Sequence, residues 1–571
     1  MLKKYLAHPY KKATIPFGIF LAITMVLGWS LKSTNSFSYI TKHPFDSILL
    51  LIVFFIIFEV LTYLFLKFMM RPTKKTNEIA FFSASNKMFF IHMGIFIVIF
   101  ALPFFIYFPG LWQYDYRYQL WMFNREAAWT TYHPFLHTMI LGDLTKLGLA
   151  IFGKTNPLYG LTIYPIVQGL GFAAFFAWIM RKLTKLGVGN IARICVFIFL
   201  CLWPQNAYMS IITIKDTLFA ISTVFLLFIF LEAFKNPDEF FTSWKKIIAF
   251  IGFSFLFCIS RNNGYAAFGI SIPFIILAFI NWKHNSPPSE GWRAKPDGVV
   301  LTFLKRVNPI YLVTVTLIAI VLLNVIYNSF IFVFFDVTKG PEQEALPIPM
   351  MQVYACAIDG DLNQIQLQYF LALFGDNGSG GVDPSPFNPH FADPVKGRFN
   401  SAIYDANKST YVKMYFDLMV KHPITYAEVG LNLNIGSWYM GNNYPASGVR
   451  GVYIERVDDG VPFQDFGYTI PMTNDVTSKL PGLLKSYDSY VQMKYMKYPV
   501  IGWIFRPSVA IYLLFLSFIA LLFKKKPKMA IAAIPLFFLW LTVIAAPVFD
   551  GRYIYPLILC TPIMLVVAKN E

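Results

Sequence analysis

The sequence has little charge. Asp, Glu, Lys and Arg make up 14% of its 571 residues, against about 25% in an average soluble domain, which excludes an ordinary soluble chain. Cysteine is scarce as well, with five residues and no C-x-x-C spacing, so neither a disulfide scaffold nor a thiolate metal centre is written here. Cys356 alone lies in the long polar segment, and no disulfide can close within it. The chain shows no internal repeat, no heptad run and no low-complexity tract.

What is abundant is apolar surface. Hydrophobic residues reach 56%, aromatics 18%, and Phe alone counts 60. Ile310 to Phe335 and Met529 to Phe549 contain no acidic or basic residue, and each reaches the ~20 residues that a helix needs to cross a bilayer. The expected class is an all-α polytopic membrane protein. A formal net charge of +17 could indicate a nucleic-acid partner, but its distribution argues against one: the segment Val337 to Val500 carries −4 and the remainder +21, mostly in short loops between apolar runs. That is the positive-inside pattern.

Apolar runs at about 14–32, 47–70, 88–107, 158–180, 190–204, 213–233, 247–260, 264–281, 310–335, 501–523, 529–549 and 551–568 give about twelve transmembrane helices. The first has a basic start resembling a signal peptide, but its length and the lack of an A-x-A pattern favour a retained span. With the N-terminus cytoplasmic, the clusters Arg71/Lys74/Lys75, Arg181/Lys182/Lys185, Lys235/Lys245/Lys246, Arg293/Lys295/Lys305/Arg306, Lys524 to Lys528 and Lys569 all fall inside. Both termini are then cytoplasmic in a multi-pass plasma-membrane protein. Phe135 to Phe152 is apolar but holds His137, Asp143 and Lys146; as a span it would invert every later loop, so it is read as an interfacial amphipathic helix.

The organisation that follows is a transmembrane region of nine spans over 1–336 with an outer loop at 108–157, a small mixed extracytoplasmic domain over 337–500, and three C-terminal spans over 501–571. Within the polar domain, Gly375 to Pro394 reads as loop, and a helical stretch around Tyr411 to Val420 stops before Pro423.

On the outer face several charged residues come together in this topology. Asp115 sits in the first outer loop among aromatics, including Tyr116. Either it is a solvated interface acid, or it is a carboxylate that takes or orients a hydroxyl proton. Lys215 and Asp216 stand at the outer mouth of a span; as helix neighbours they do not face each other, so each needs another partner. Arg261, with Asn262, lies in a tight outer hairpin and offers a guanidinium fork to phosphate oxygens. Asp550 and Arg552 join the last two spans on the same side. His133 precedes Pro134, and His137 follows four residues later. Two histidines without an H-E-x-x-H pattern do not support a metal, so no cofactor is assigned. Carboxylates for a hydroxyl nucleophile beside cations for a phosphate leaving group are the minimum equipment for transferring a sugar from a lipid phosphate.

The chain resembles membrane glycosyltransferases of the C-type (GT-C) superfamily. The likeness rests on an Asp in the first outer loop, an HP turn, an interfacial helix ending LGLAIFGKTNP, and a following span closed by RKLTKLG. KD at Lys215–Asp216, RNNG at Arg261–Gly264, DGRY at Asp550–Tyr553 and the stretch Tyr411 to Tyr439 are similar to a poorly characterised bacterial branch, over roughly 88–568. The resemblance implies a GT-C-like fold, an undecaprenyl-phosphate type of sugar donor, transfer outside the cytoplasm, and a catalytic carboxylate matching Asp115. The first two spans have no counterpart in the smallest version of that fold. Instead of the adjacent acidic pair of some relatives, the chain has Tyr114-Asp115-Tyr116.

The expected function is therefore polyprenyl-phosphate-sugar-dependent transfer to a cell-envelope acceptor, a glycan, lipid or protein. Asp115, Asp216 and His133 are the catalytic candidates. Arg261, Lys215 and Arg552 are the donor-phosphate candidates, with Asn262, His137, Tyr116 and Asp550 in support. Membrane lipids surround the chain and no nucleic acid is expected. The rival reading is a twelve-span secondary transporter; against it, no paired halves or matched broken spans are visible, and 337–500 interrupts any symmetry. A non-catalytic surface receptor would gain nothing from charges gathered at the membrane edge.

Overall fold

A computed structural model of the chain describes residues 8–73, 78–112, 114–280, 309–340, 342–441, 463–465, 468–470, 478–491, 498 and 501–571. The main helices are α1 (Lys11–Thr34), α2 (Pro44–Met69), α3 (Asn86–Ile106), α4 (Tyr114–Phe123), α5 (Phe135–Phe152), α6 (Ile163–Lys185) and α7 (Asn190–Leu202). They continue with α8 (Lys215–Lys235), α9 (Trp244–Ser260), α10 (Asn262–Phe279), α11 (Pro309–Phe334), α12 (Pro347–Ile358) and α13 (Gln364–Phe374). The last are α14 (Lys408–Lys421), α15 (Pro423–Leu433), α16 (Pro481–Val491), α17 (Pro507–Phe523), α18 (Ile534–Ile544) and α19 (Gly551–Asn570). Among the described residues the strands are one short antiparallel pair, β1 (Phe463–Asp465) with β2 (Tyr468–Ile470).

Ten helices among the described residues are long and apolar enough to cross a membrane. The protein is a helical multi-pass membrane protein. Each of the twelve apolar runs carries a helix, although α7, with 13 residues, and α9 and α17, with 17 each, are shorter than a full crossing, and α18 reaches span length only together with the short helix Pro527–Ile531 before it. The stretch Phe135 to Phe152, read from sequence as interfacial, forms one unbroken helix that meets the length and hydropathy of a span.

Two helices occupy the middle. In α8 and α19, 78% of the most apolar window is buried, against 17% in α2, whose Ile48, Leu49, Ile52, Ile56 and Val60 face outward. Such a face is what hydrocarbon solvates. The α1–α2 hairpin is held by a buried pair in which Lys11 and Thr14 both donate to Glu59, and it docks on α17 through Phe17 and Tyr512, whose ring centroids are 6.5 Å apart. An unpaired acid mid-helix in lipid would cost several kcal/mol, so the pair fixes which face of α2 turns inward.

Basic loops distant in sequence meet at one end of the bundle. Lys235 and Lys526 pair with Glu571 at 2.6 and 3.4 Å. Lys569 reaches the carbonyls of Phe68 and Arg71, and Lys524 that of Lys569. The N-terminal ends of α8 and α19 point to the opposite end. Residues 346–433 build a second core there, with Tyr354, Phe370, Phe374, Tyr411 and Leu418 at its centre. Gly375 to Ala392 is loop, and α14 ends at Lys421 before Pro423 opens α15. Ile435, Trp438, Tyr439 and Val491 pack instead with the bundle. This second unit is sewn to the bundle by Ala392 N–H to the Pro547 carbonyl, 3.2 Å, and by Asn434 to the carbonyls of Ile544 and Ala546, 2.9 and 2.7 Å.

Candidate functional site

Four segments deliver charged side chains to one place, and each is aimed by a local device. Gly110 turns the chain at φ +129°, where a Cβ would lie 2.5 Å from Pro165, so only glycine fits. The turn lets Leu111 pair strand-like with the segment before α8: Leu111 N–H donates to the Ile211 carbonyl at 3.2 Å, and Thr213 N–H donates to the Leu111 carbonyl at 2.9 Å. α4 therefore starts beside α8, and Asp115 faces the first turn of α8. Asp550 caps α19 by accepting from Arg552 N–H at 3.0 Å. Arg261 is the single extended residue between α9 and α10, a corner so tight that a Cβ on Gly264 would fall 2.3 Å from the Phe257 carbonyl oxygen.

The result is a cluster of three acids and three bases. Arg552 Nη1 lies 3.4 Å from Asp115 Oδ2, and Lys215 Nζ lies 3.9 Å from the same oxygen. Arg552 Nε reaches Asp550 Oδ2 at 2.9 Å and Asp216 Oδ2 at 4.0 Å. Arg261 is hydrogen-bonded to Asp216 Oδ1 and stacks its guanidinium on the Tyr553 ring at 4.2 Å. Lys215 and Asp216 do not pair with each other; each finds its own partner on another segment. Asp216 is the floor, at 0% exposure, while Tyr132 and Asn262 are exposed at the rim and Arg261, Tyr553 and Asp550 are half-buried.

Burial and charge work against each other at Asp115, which is 5% exposed. Burial pushes its carboxyl up, but Lys215 and then Arg552 outweigh that and hold it down at about 2. The solvated interface acid allowed by the sequence is thus replaced by a buried carboxylate that stays charged. Asp550 goes the other way, raised by burial despite Arg552.

His133 sits in the turn beside Lys215. Lys215 Nζ lies 3.2 Å from His133 Nδ1 and 3.4 Å from the Tyr132 carbonyl. An ammonium has only protons to offer, so Nδ1 accepts and the ring is neutral. Burial first, then Lys215, pushes the His133 pKa well below its ordinary 6.5. The stability sign follows: the unfolded chain takes up a proton near pH 6.5 that the folded chain refuses, so stability is full above that pH and falls below it. Melting in detergent is expected to drop from pH 7 to 5, and His133→Gln is expected to flatten the drop. An unchanged slope in the variant would remove His133 as its source.

The two histidines do not form a metal pair. His133 turns to Lys215, while His137 contacts Gln119 at 2.6 Å and Tyr164 at 2.8 Å. Among the described residues no group of three His, Cys, Asp or Glu is arranged to hold a metal. Tyr116 packs with Trp112, Leu120 and Leu141 in the small core under α4, and Asn262 braces the loop by donating to the Thr131 carbonyl at 3.2 Å. That loop is further tied to the entry of the second unit, Thr131 N–H to Thr338 O at 2.9 Å and Thr338 N–H to Trp129 O at 2.8 Å.

Tyr132, Tyr553, Gln119 and Tyr164 were not singled out by sequence reasoning. At the rim, the Tyr132 ring faces Lys215 Nζ at 5.0 Å. The one usable signal was Tyr553, inside the DGRY stretch. Tyr132 is one of 32 tyrosines and nothing in its local pattern marks it.

Residues 124–294 are similar to a family of unknown function (DUF6020). The matched range includes His133, Lys215, Asp216 and Arg261, and excludes Asp115 and Arg552. No curated protein and no solved structure matches the chain.

Proposed function

We propose that the protein is a GT-C-like glycosyltransferase that moves a sugar from a polyprenyl-phosphate donor to an acceptor hydroxyl at the extracytoplasmic face, for the cell envelope. The observation that supports this most is the meeting of Asp115 and Asp216 with Lys215, Arg261 and Arg552, cations drawn from three distant parts of the chain, at the end opposite the basic loops. Under the positive-inside rule those loops are cytoplasmic, which puts the cluster outside. Twelve spans, with α5 lying along the interface and the 337–500 segment covering the site, keep that orientation consistent.

In the reaction the acceptor oxygen attacks the anomeric carbon, the carbon–oxygen bond to the lipid phosphate breaks, and polyprenyl phosphate departs. Arg261 at the rim, backed by Lys215 and Arg552, meets the growing negative charge. A phosphate monoester dianion takes up a proton near pH 6, so the departing phosphate is a better final acceptor for the hydroxyl proton than Asp115 at about 2. Asp115 accordingly orients the hydroxyl and stabilises positive charge at the anomeric centre. Asp216 holds Arg261, and His133 holds Lys215.

Donor recognition is tested with undecaprenyl phosphate, the shared product of any such donor. It is expected to raise the melting temperature of the purified parent and to do so far less for Arg261→Ala; no shift in the parent would count against the reading. Orientation is tested separately. In a cysteine-free background, a cysteine at exposed Ser379 is expected to react with an impermeant thiol reagent in intact cells and one at Lys526 is not, and the reverse labelling would invert the topology.

A further inference from the structure

A second polar network lies beneath the charge cluster, built from residues with no net charge. Gln168 on α6 donates through Nε2 to the carbonyls of Met209 and Ile212, at 3.2 and 2.7 Å. Its Oε1 accepts from the Tyr164 hydroxyl at 2.9 Å. That hydroxyl lies 2.8 Å from His137 Nε2, and His137 Nδ1 lies 2.6 Å from the Gln119 amide. The Gln119 amide also contacts Thr138 Oγ1 at 3.2 Å, and Gln119 stands one helical turn beyond Asp115 on α4. Gln119, His137, Thr138 and Tyr164 are all buried.

The protons in this chain can be counted. Both amide hydrogens of Gln168 face carbonyls, which only accept, so its orientation is fixed and its oxygen must face Tyr164. The Tyr164 hydroxyl has one proton and gives it to that oxygen. Towards His137 it can only accept, so His137 carries its proton on Nε2. A neutral ring then needs a donor at Nδ1, which the Gln119 amide supplies through its nitrogen, since the two ends of an amide are interchangeable by rotation. Both ring nitrogens are used up, leaving His137 neither a ligand site nor a free base.

The chain closes a ring. It starts at Ile212, in the segment that pairs with Leu111 and leads into Lys215, and it ends at Gln119 on α4, one helical turn beyond Asp115. We infer that Tyr164 and Gln168, acting through His137 and Gln119, are positioning residues that set Asp115 against Lys215, and that His137 serves as an Nε2–H linker within this brace. The catalytic half of the inference rests on the transfer reading above; the wiring does not.

Two measurements separate them. Imidazole nitrogen resonances of histidine-labelled parent, with His137 assigned by its loss in His137→Gln, are expected to show Nε2 protonated; Nδ1-only protonation would overturn the wiring whatever the protein catalyses. In sugar transfer, Tyr164→Phe loses one buried hydrogen bond and is expected to lower kcat about 10-fold, with the donor KM within about twofold of the parent. In an Asp115→Asn background the same change is expected to cost nothing further, because its route to the reaction is gone. Equal kcat in parent and Tyr164→Phe, or fully additive losses, would overturn the positioning role. A parent with normal wiring and no transfer activity would overturn the function reading and the catalytic half with it, while leaving the linker assignment standing.

Discussion

Asp115→Asn is expected to lower turnover by ~100-fold or more while leaving the fold and donor binding in place. The substitution keeps shape and removes the charge that Lys215 and Arg552 gather around, at 3.9 and 3.4 Å. Because the carboxyl is held at about 2, its ionisation does not change in the working range, and the parent's turnover is expected to show no acid limb from Asp115 between pH 5 and 8. The linkage sign agrees: stability due to this depressed carboxyl is present above its ordinary 3.8 and is lost only as pH falls toward about 2. Comparing kcat for parent and variant across that range tests both statements. Parent-like turnover in Asp115→Asn would leave Asp115 a structural ion-pair member.

Arg261→Ala is expected to have the other large effect, and through two routes. Losing a phosphate-facing donor in a water-poor site commonly costs ~2.7–4 kcal/mol of transition-state stabilisation. The same change strips Asp216, at 0% exposure, of its hydrogen-bonded partner and leaves it only the longer contact to Arg552 at 4.0 Å, and breaking a buried pair by removing one partner costs up to about 3–5 kcal/mol of stability. The routes come apart in the double variant Arg261→Ala/Asp216→Asn, which is expected to recover much of the melting temperature and almost none of the turnover. Arg261→Lys is expected to rescue poorly, because the fork that holds Asp216 while stacking on Tyr553 is planar. Recovery of both stability and turnover in the double variant would make Arg261 a scaffold residue only.

The helices were legible because a span announces itself by unbroken apolar length, and all twelve runs carry helices. α5 was harder: three ionisable residues weighed against a span, yet the helix is continuous and apolar enough to be one. Whether it crosses depends on surroundings that its own residues do not encode. In the site, the charged residues stood out because charge near a membrane is rare. Their pairing did not, since Asp115 meets Arg552 across 437 residues and Asp216 meets Arg261 across 45. Nor could the sequence show that every cation arrives with an acid beside it. Of the brace, His137 was singled out in the sequence, while Gln119, Tyr164 and Gln168 were the least visible part. Single uncharged polar residues in apolar helices look alike whether they link across the fold or bond within their own turn.

The most direct measurement is release of undecaprenyl phosphate from undecaprenyl-phosphate-linked hexoses added to proteoliposomes holding the purified protein, with an acceptor-containing envelope extract outside. The expected result is extract-dependent release by the parent, reduced ~100-fold in Asp115→Asn, with no solute accumulated in the lumen. Intact donor throughout, accompanied by solute accumulation, would contradict sugar transfer and favour a transporter.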